Sequence, residues 1–141
     1  MRGASALGDL LRKYPQADVR VLVVWEPVIL TDIGKPRDGV RQPLSDPRVT
    51  EFWDEKRWLS PRMIERAAII ARAQGEEPPL GPDDIAWDVI AMFPEGTLWE
   101  DPFPVPSWYG DEPVVHSLGP VEEALSRESR AESPVQPATT P

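Results

Sequence analysis

Residues 19–25 read Val19-Arg20-Val21-Leu22-Val23-Val24-Trp25, and this run decides the fold. It is the densest cluster of β-branched residues in the chain, and residues 21–24 are continuously apolar. A short, continuous apolar run is typical of a strand that is buried on both faces of a sheet. Pro27 lacks the backbone donor that a sheet needs, so we expect the strand to end at Trp25 or Glu26. The run therefore predicts the central strand of a small α/β domain.

The composition limits the class of protein. The chain has 141 residues, which is the size of one domain, and a formal net charge of −9. Such a chain lacks the basic surface that nucleic acids and anionic lipids require, so we expect neither nucleic acid nor membrane as a partner. With no cysteine, disulfides, thiol catalysis and cysteine metal sites are excluded. No run approaches the ~20 apolar residues of a membrane span. The first 14 residues lack the apolar core of a signal peptide, and we expect a cytoplasmic protein.

The segments on either side of the strand show different patterns. Leu7, Leu10 and Leu11 have helical spacing and predict a short amphipathic helix over residues 5–14. Residues 28–45 are interrupted by Gly and Pro and predict a long irregular loop. This loop leaves the C-terminal end of the predicted strand, which is where α/β sheets place ligands.

Two helix-start signals follow the loop. Asp46 before Pro47 predicts a helix. Its apolar face would hold Val49, Phe52 and Trp53, with the stem of Lys56 beside it. Ser60 before Pro61 predicts a break and then a helix that ends at Gly75. The apolar face of this second helix would hold Met63, Ile64, Ala67, Ala68 and Ala71.

The second strong strand signal is the run from Ile85 to Phe93, which is apolar on both faces except for Asp88. Residues 94–97 form a turn sequence, type I if the turn begins at Phe93, and residues 97–100 return as a third strand. Together they predict a β-hairpin from Ile85 to Asp101. Residues 102–113 are too rich in proline for a strand and are expected to lie extended across the domain. A closing helix is predicted from Val121 to Arg130.

The order of these elements resembles the thioredoxin-like superfamily. Residues 21–27 resemble the strand that runs into that family's active-site loop, residues 85–100 its terminal hairpin, and residues 121–130 its closing helix. The resemblance implies an α/β fold with a thioredoxin-like mixed sheet, a central strand, an antiparallel β-hairpin and flanking helices. The family's paired cysteines are missing from the stretch between Trp25 and Asp32. The chain would therefore be a cysteine-free, non-redox member.

The loop after the predicted central strand is the first candidate site. Trp25, Glu26, Pro27 and Asp32 would lie at the exposed end of the sheet, where an indole and two carboxylates could bind a protein or a small ligand. One alternative is a structural accessory subunit that docks through Trp108 and Tyr109. The other is an acid/base or metal-assisted enzyme that uses Glu26, Asp32 and Asp88. Asp88 lies among apolar neighbours in the predicted strand, and if it were buried there without a partner its pKa should rise, which can mark a functional acid. The same carboxylates could also be solvated or structural. No cofactor and no metal site are predicted.

The single histidine and the tryptophans carry weaker signals. His116 would need partners such as Asp111 and Glu112 to bind a metal, and a surface histidine near a bend is the simpler interpretation. Tryptophans could form a platform for a carbohydrate or a peptide, but at helix and strand positions they more often belong to the core. The set is Trp53, Trp58, Trp87, Trp99 and Trp108, of which we expect Trp58 and Trp108 to be the most exposed.

We expect residues 1–132 to form a single thioredoxin-like α/β domain and residues 133–141 to be a disordered, Pro-rich C-terminal tail that is dispensable for folding. Deleting residues 121–141 should instead lower the melting temperature, because Val121, Ala124 and Leu125 leave the core. Burial of one Val or Leu side chain contributes about 1.5–3 kcal/mol, against a total stability of roughly 5–15 kcal/mol. Thermal melting of both truncations checks this. Equal losses in the two variants would show that the tail packs on the domain.

Overall fold

The computed structural model describes residues 2–29, 31–81, 84–110 and 112–131, which form a mixed α/β fold. In chain order the elements are α1 (Arg2–Lys13), β1 (Val21–Trp25), α2 (Asp38–Arg41), β2 (Val49–Trp53), α3 (Leu59–Gln74), β3 (Ile90–Met92), β4 (Trp108–Gly110) and α4 (Leu118–Ala131). Short 3-10 turns at Gln42–Leu44 and Val114–His116 precede β2 and α4. The α/β class is confirmed, and the predicted tail lies outside the described residues.

The strands of the described residues form two separate sheets of two strands each. β1 pairs in parallel with β2, so that Val21 lies opposite Val49 and Trp25 lies opposite Trp53. β3 and β4 form a short antiparallel pair. Because β1 has one strand neighbour among these residues, the central position that the sequence predicts for it is not confirmed.

The prediction of a helix after Asp46 is wrong, because Val49–Trp53 forms the strand β2. The spacing of its apolar residues also fits a helix, but its Val, Thr and aromatic side chains are typical of strands. The parallel partner, which lies far away in the sequence, decides between the two structures. Asp46 does not cap a helix. Its carboxylate accepts hydrogen bonds from the backbone N–H and the guanidinium group of Arg48, both at 2.9 Å.

The predicted hairpin from Ile85 to Asp101 has the right turn but the wrong strands. The Thr97 N–H donates to the Pro94 carbonyl over 3.3 Å, and Gly96 adopts a φ of +74°, so the turn begins one residue later than predicted. Residues 97–100 form no strand. β3 pairs instead with β4, which lies in the Pro-rich segment where no strand was expected. Only three residues long, β4 contains no proline, so its ladder loses no donor.

Three of the predicted helices are confirmed, each with an earlier start. α1 begins at Arg2, α3 at Leu59 and α4 at Leu118. The C-terminal end of α3 is as predicted, because Gly75 adopts a left-handed conformation with a φ of +78° that favours glycine. Between β1 and β2, the segment expected to be irregular contains the single turn of α2.

Apolar side chains of the helices form the core. One cluster joins α1 to α4 and buries Leu10, Ala17, Val121 and Leu125, with β3 and β4 residues packed against it. Along α3 the buried side chains are those of Met63, Ile64, Ala67, Ala68 and Ala71, which is the face that the sequence predicts. α1 approaches the Gln42–Leu44 turn so closely that a Cβ atom on Gly8 would lie 2.0 Å from the Pro43 carbonyl oxygen.

Arg48 closes the C-terminal end of α1. Its guanidinium group donates to the carbonyl oxygens of Leu11 at 2.8 Å and Tyr14 at 2.7 Å, with a longer bond to Ala17 at 3.3 Å. Asp46 balances the charge through a bond of 2.7 Å. The hydrogen bonds from Arg48 lower the pKa of Asp46 from 3.8 to about 2. The last carbonyl groups of a helix have no partner inside it, so Arg48 supplies what α1 lacks.

We expect Asp46→Asn to lower the free energy of unfolding at neutral pH by about 1–2 kcal/mol, after allowing for solvent screening. Because the folded state binds the Asp46 proton more weakly than the unfolded state, this stabilisation is complete above pH ~4 and is lost as the pH falls through about 2. Urea unfolding of both proteins across this pH range measures the difference. Asp9→Asn, which removes an exposed ion pair with Arg12, is the control and should change stability little. A difference that does not depend on pH would contradict the role of the Asp46 charge.

Candidate functional site

The indole group of Trp25 forms a hydrogen bond to β2. Its Nε1–H donates to Oε2 of Glu51 over 2.7 Å, and Arg41 binds the same carboxylate with Nη2 at 2.8 Å from Oε1. Lys35 reaches the backbone carbonyl of Glu51 at 3.0 Å. The hydrogen bond from Arg41 is the main cause of the lowered pKa of Glu51. The connection between β1 and β2 is therefore tied across this face of the sheet, and the indole N–H of Trp25 is used within the fold.

Glu26 and Asp54 cap the N-terminus of α3. Each is the first residue after a parallel strand, and each accepts a hydrogen bond from a first-turn amide of the helix. The Leu59 N–H donates to Asp54 Oδ2 over 2.8 Å, and the Ser60 N–H donates to Glu26 Oε1 over 3.1 Å. Carboxylates are favoured at this position by the helix dipole. Asp54 and Ser60 were missed as partners of Glu26, because residues 46–56 were predicted to be helical.

The hydroxyl of Ser60 extends this network into the core. Ser60 is buried, its hydroxyl donates to Glu26 Oε2, and its oxygen accepts the Ala86 N–H over 3.2 Å. Burial raises the pKa of Glu26, and the nearby charge of Asp54 raises it further, while the bonds from Ser60 lower it. The side chain is thus a partly buried carboxylate held against a helix end, and its hydrogen bonds are structural.

The remaining residues of the predicted loop site have local roles. Oδ2 of Asp32 accepts the backbone N–H groups of Val28 at 2.9 Å and Ile29 at 3.0 Å, which lowers the pKa of Asp32. Pro27 is half-buried. The carboxylate of Asp32 therefore binds the backbone of the loop that follows β1.

The carboxylates of the enzyme alternative lie in different surroundings. Glu26 contacts α3, Asp32 contacts its own loop, and no hydrogen bond joins any two of the three within the part of the chain that the structure describes. The prediction that Asp88 lies within a strand is wrong, because it precedes β3 with a φ of +55°, and its side chain is exposed. Its carboxylate lies near α1, where Oδ1 is 2.7 Å from the position that a Cβ atom on Gly3 would take.

His116 lies on the surface, as the simpler interpretation of the sequence predicts. It is exposed at the end of a 3-10 turn, and Glu112 is exposed as well. Asp111, the other suggested partner, lies outside the described residues. Over the four described ranges, no group of three or more His, Asp or Glu side chains could hold a metal ion.

An apolar groove crosses the other face of the β1–β2 sheet. It has a volume of about 330 Å³. It is lined by Leu22, Val24, Phe52, Trp58, Leu59 and Trp99, with Asp54 and Arg62 as its only charged lining residues. Leu22 is 37% exposed, Phe52 47% and Trp58 63%. Six of its eight lining residues are apolar, and we call it the sheet groove.

Strand alternation produces the sheet groove. In β1, Leu22 and Val24 point to the face opposite Trp25, and Phe52 lies directly across from Val24 in the parallel register. Trp58 follows in the turn before α3. The exposure of Trp58 confirms its prediction. The prediction for Trp108 is wrong, because Trp108 is half-buried and packs against the core, and Trp87, expected in the core, is 68% exposed. The sequence could have revealed the groove only if Val49–Trp53 had been recognised as a strand.

A second, more polar groove runs beside α4. It has a volume of about 470 Å³ and is lined by Tyr14, Glu122, Glu123, Ser126, Arg127 and Arg130. Its central carboxylate is already engaged, because Glu122 accepts the Tyr14 hydroxyl at 3.0 Å and pairs with Lys13. Since these bonds tie α1 to α4, this groove has a structural explanation that the sheet groove lacks.

No protein-family model, curated protein or solved structure matches this chain. Among the helices that the structure describes, none has both the length and the apolar character needed to cross a membrane.

We expect Ser60→Ala to raise the pKa of Glu26 further, because the hydroxyl bond to the carboxylate disappears while burial is unchanged. Titration of the Glu26 carboxyl carbon by NMR measures the shift. Ser107→Ala is the matched control, because it removes a hydroxyl bond of 3.1 Å to the Met92 carbonyl. A pKa of Glu26 that is the same in Ser60→Ala and in the native protein would show that the hydroxyl bond does not stabilise the charged form.

Proposed function

We propose that the chain is a non-redox binding domain that binds a polypeptide in the sheet groove, with the loop at residues 25–32 beginning at the edge of this groove. The observation that carries the proposal is the uncovered apolar face of a parallel sheet, because sheets with parallel strands are normally covered on both faces. The loop is tied to the edge of the groove through Glu26. The carboxylate of Glu26 accepts the N–H of Ser60, and the residue before Ser60, Leu59, lines the groove.

The chemistry of the sheet groove favours a polypeptide over a small ligand. Small-molecule sites combine apolar walls with several polar groups that converge on the ligand. The sheet groove has two charged lining residues, Asp54 and Arg62. Since the carboxylate of Asp54 caps α3, only the charge of Arg62 remains for a ligand. Exposed aromatic side chains such as Phe52 and Trp58 are typical of protein interfaces.

The enzyme alternative has less support. An acid/base pair must reach one substrate. Glu26 is held by α3 and Asp32 by its own loop, and Asp88 lies beside α1. None of these side chains lines the sheet groove. We therefore favour a binding function without catalysis.

The thioredoxin-like relationship and the cytoplasmic location remain predictions. The relationship is supported by the way β1 leads into a long connection, and by an antiparallel strand pair that precedes the last helix. β2 is a strand at a place where the resemblance implies a helix. The proposed binding function does not depend on the relationship, because it rests on the groove alone.

We expect peptides selected from a random displayed library on the native protein to lose binding at least tenfold to Leu22→Glu, because the new charge lies inside the sheet groove. Ile69→Glu is the matched control: Ile69 is 38% exposed, close to the 37% of Leu22, but it lies on α3 outside the groove. Fluorescence anisotropy measures the affinities, and circular dichroism checks that both variants fold.

Two results would contradict the proposal. One is a library that yields no peptide binding the native protein. The other is a set of peptides that bind Leu22→Glu and Ile69→Glu equally well. Ile33→Glu separates the groove from the loop, because Ile33 is 94% exposed and follows Asp32. Peptides that lose affinity only for Ile33→Glu would place the site in the loop.

A further inference from the structure

We propose that the occupant of the sheet groove is a second copy of this chain, so that two copies associate face to face about a two-fold axis. The inference rests on the proposed function, since it takes the sheet groove as the interaction surface. It goes further by naming the partner, and the charges around the groove carry it.

Cations surround Trp58 on one side of the sheet groove. The Nζ of Lys56 lies 5.4 Å from the centre of the indole ring, and Nη1 of Arg62 donates to the Trp58 carbonyl over 2.7 Å. Both cationic side chains are exposed. Neither forms an ion pair with a carboxylate within residues 2–29, 31–81, 84–110 and 112–131. Their charges are therefore available to a partner.

The carboxylates at this end of the sheet do not neutralise these cations. Asp54 and Glu26 accept the first amides of α3, and Glu26 also binds the Ser60 hydroxyl. The charge of Arg57, the third cation here, lowers the pKa of Glu26 and is partly compensated by it. Among the described residues, Lys56 and Arg62 are thus two exposed cations beside Trp58 without an ion pair, in a chain whose formal net charge is −9.

Acidic residues accompany the other tryptophan of the sheet groove. Trp99 lines the groove and packs edge-on against Phe103, with ring centres 5.1 Å apart. Glu100 and Asp101 follow it directly in the chain, and both are exposed. Neither makes an ion pair in the described part of the chain. The groove therefore has free positive charge next to Trp58 and free negative charge next to Trp99.

A two-fold axis pairs unlike parts of the same surface. In such an interface a residue i of one copy contacts residue j of the other, and j of the first contacts i of the second. If Trp58 of one copy meets Trp99 of its partner, Lys56 and Arg62 face Glu100 and Asp101 in both halves of the interface. A uniformly acidic peptide would meet Glu100 and Asp101 unfavourably, and a uniformly basic one would meet Lys56 and Arg62 unfavourably. A second copy carries charges of both signs, so each charged group at the groove can meet one of opposite sign.

The net charge does not forbid this association. Two copies with a charge of −9 each repel one another. However, at physiological salt the screening length is about 8 Å, so charges distant from the interface contribute little. Apolar contact over Leu22, Phe52 and the two tryptophans supplies the attraction, and the local ion pairs fix the orientation.

The test uses two charge-reversed proteins, studied separately and mixed. Sedimentation velocity of the native chain should show a monomer–dimer equilibrium. Lys56→Glu with Arg62→Glu should raise the dissociation constant at least tenfold, and Glu100→Lys with Asp101→Lys should do the same, because like charges then face each other. Mixing the two variants should restore dimers with a near-native constant, since all four pairings in the heterodimer are then of opposite sign. Arg72→Glu with Arg127→Glu, which lowers the net charge as much as Lys56→Glu with Arg62→Glu but at exposed sites elsewhere, is the control for that variant.

The inference is overturned if the native chain stays monomeric at concentrations on the order of 0.5 mM, which corresponds to an association too weak to matter. It is also overturned if mixing the two variants restores nothing. A monomeric chain whose groove still distinguishes Leu22→Glu from Ile69→Glu in peptide binding would leave the proposed function intact and remove the second copy. A dimer that Leu22→Glu leaves unchanged would place self-association on another surface.

Discussion

Charged side chains at the ends of the two parallel strands hold the long helices α1 and α3 in place. Arg48, which comes directly before β2, donates hydrogen bonds to the carbonyl groups of Leu11, in the last turn of α1, and of Tyr14, which follows that helix. Glu26 and Asp54, which come directly after β1 and β2, receive the first amides of α3. Because a helix cannot pair these end groups within itself, they must find partners or remain with water. The sign of each charge also suits the dipole of the helix that it meets. The positions of both helices relative to the sheet depend on these contacts.

The same arrangement makes the two faces of the β1–β2 sheet different. On one face, Trp25 and Arg41 both bind the carboxylate of Glu51. The bond from Arg41 holds the connection between the two strands against this face. On the other face, the capping carboxylates point into α3 and leave the apolar side chains beside them uncovered. Glu26 and Asp54 therefore support the fold, and the side chains exposed beside them on this face are mainly apolar.

Local patterns predict part of this fold. The buried face of α3 and its end at Gly75 follow from helical spacing and from the conformational freedom of glycine, and both are present. β2 was predicted to be a helix, because five residues with Val, Thr and aromatics fit either period and only pairing with β1 decides. β4 was missed for a different reason: the proline content of residues 102–113 argued against a strand, although the three residues that pair with β3 include no proline. The sequence pointed to Glu26 but could not show its role, because Ser60 and Asp54 reach it only after β2 forms. The sheet groove could not be predicted either, because its lining comes from both β1 and β2.

The parallel pairing also bears on how fast the chain reaches its native state. β1 and β2 can meet only after residues 26–48 have been ordered into a closed loop, and this connection holds just one turn of α-helix. Loop closure costs conformational entropy before any interstrand bond forms, so non-local pairing is slow compared with helix formation. Arg48 lies at the end of this loop, and α1 receives its C-terminal partner only when the loop closes. We therefore expect the C-terminal end of α1 to become fixed at the same step as the register of the parallel strands.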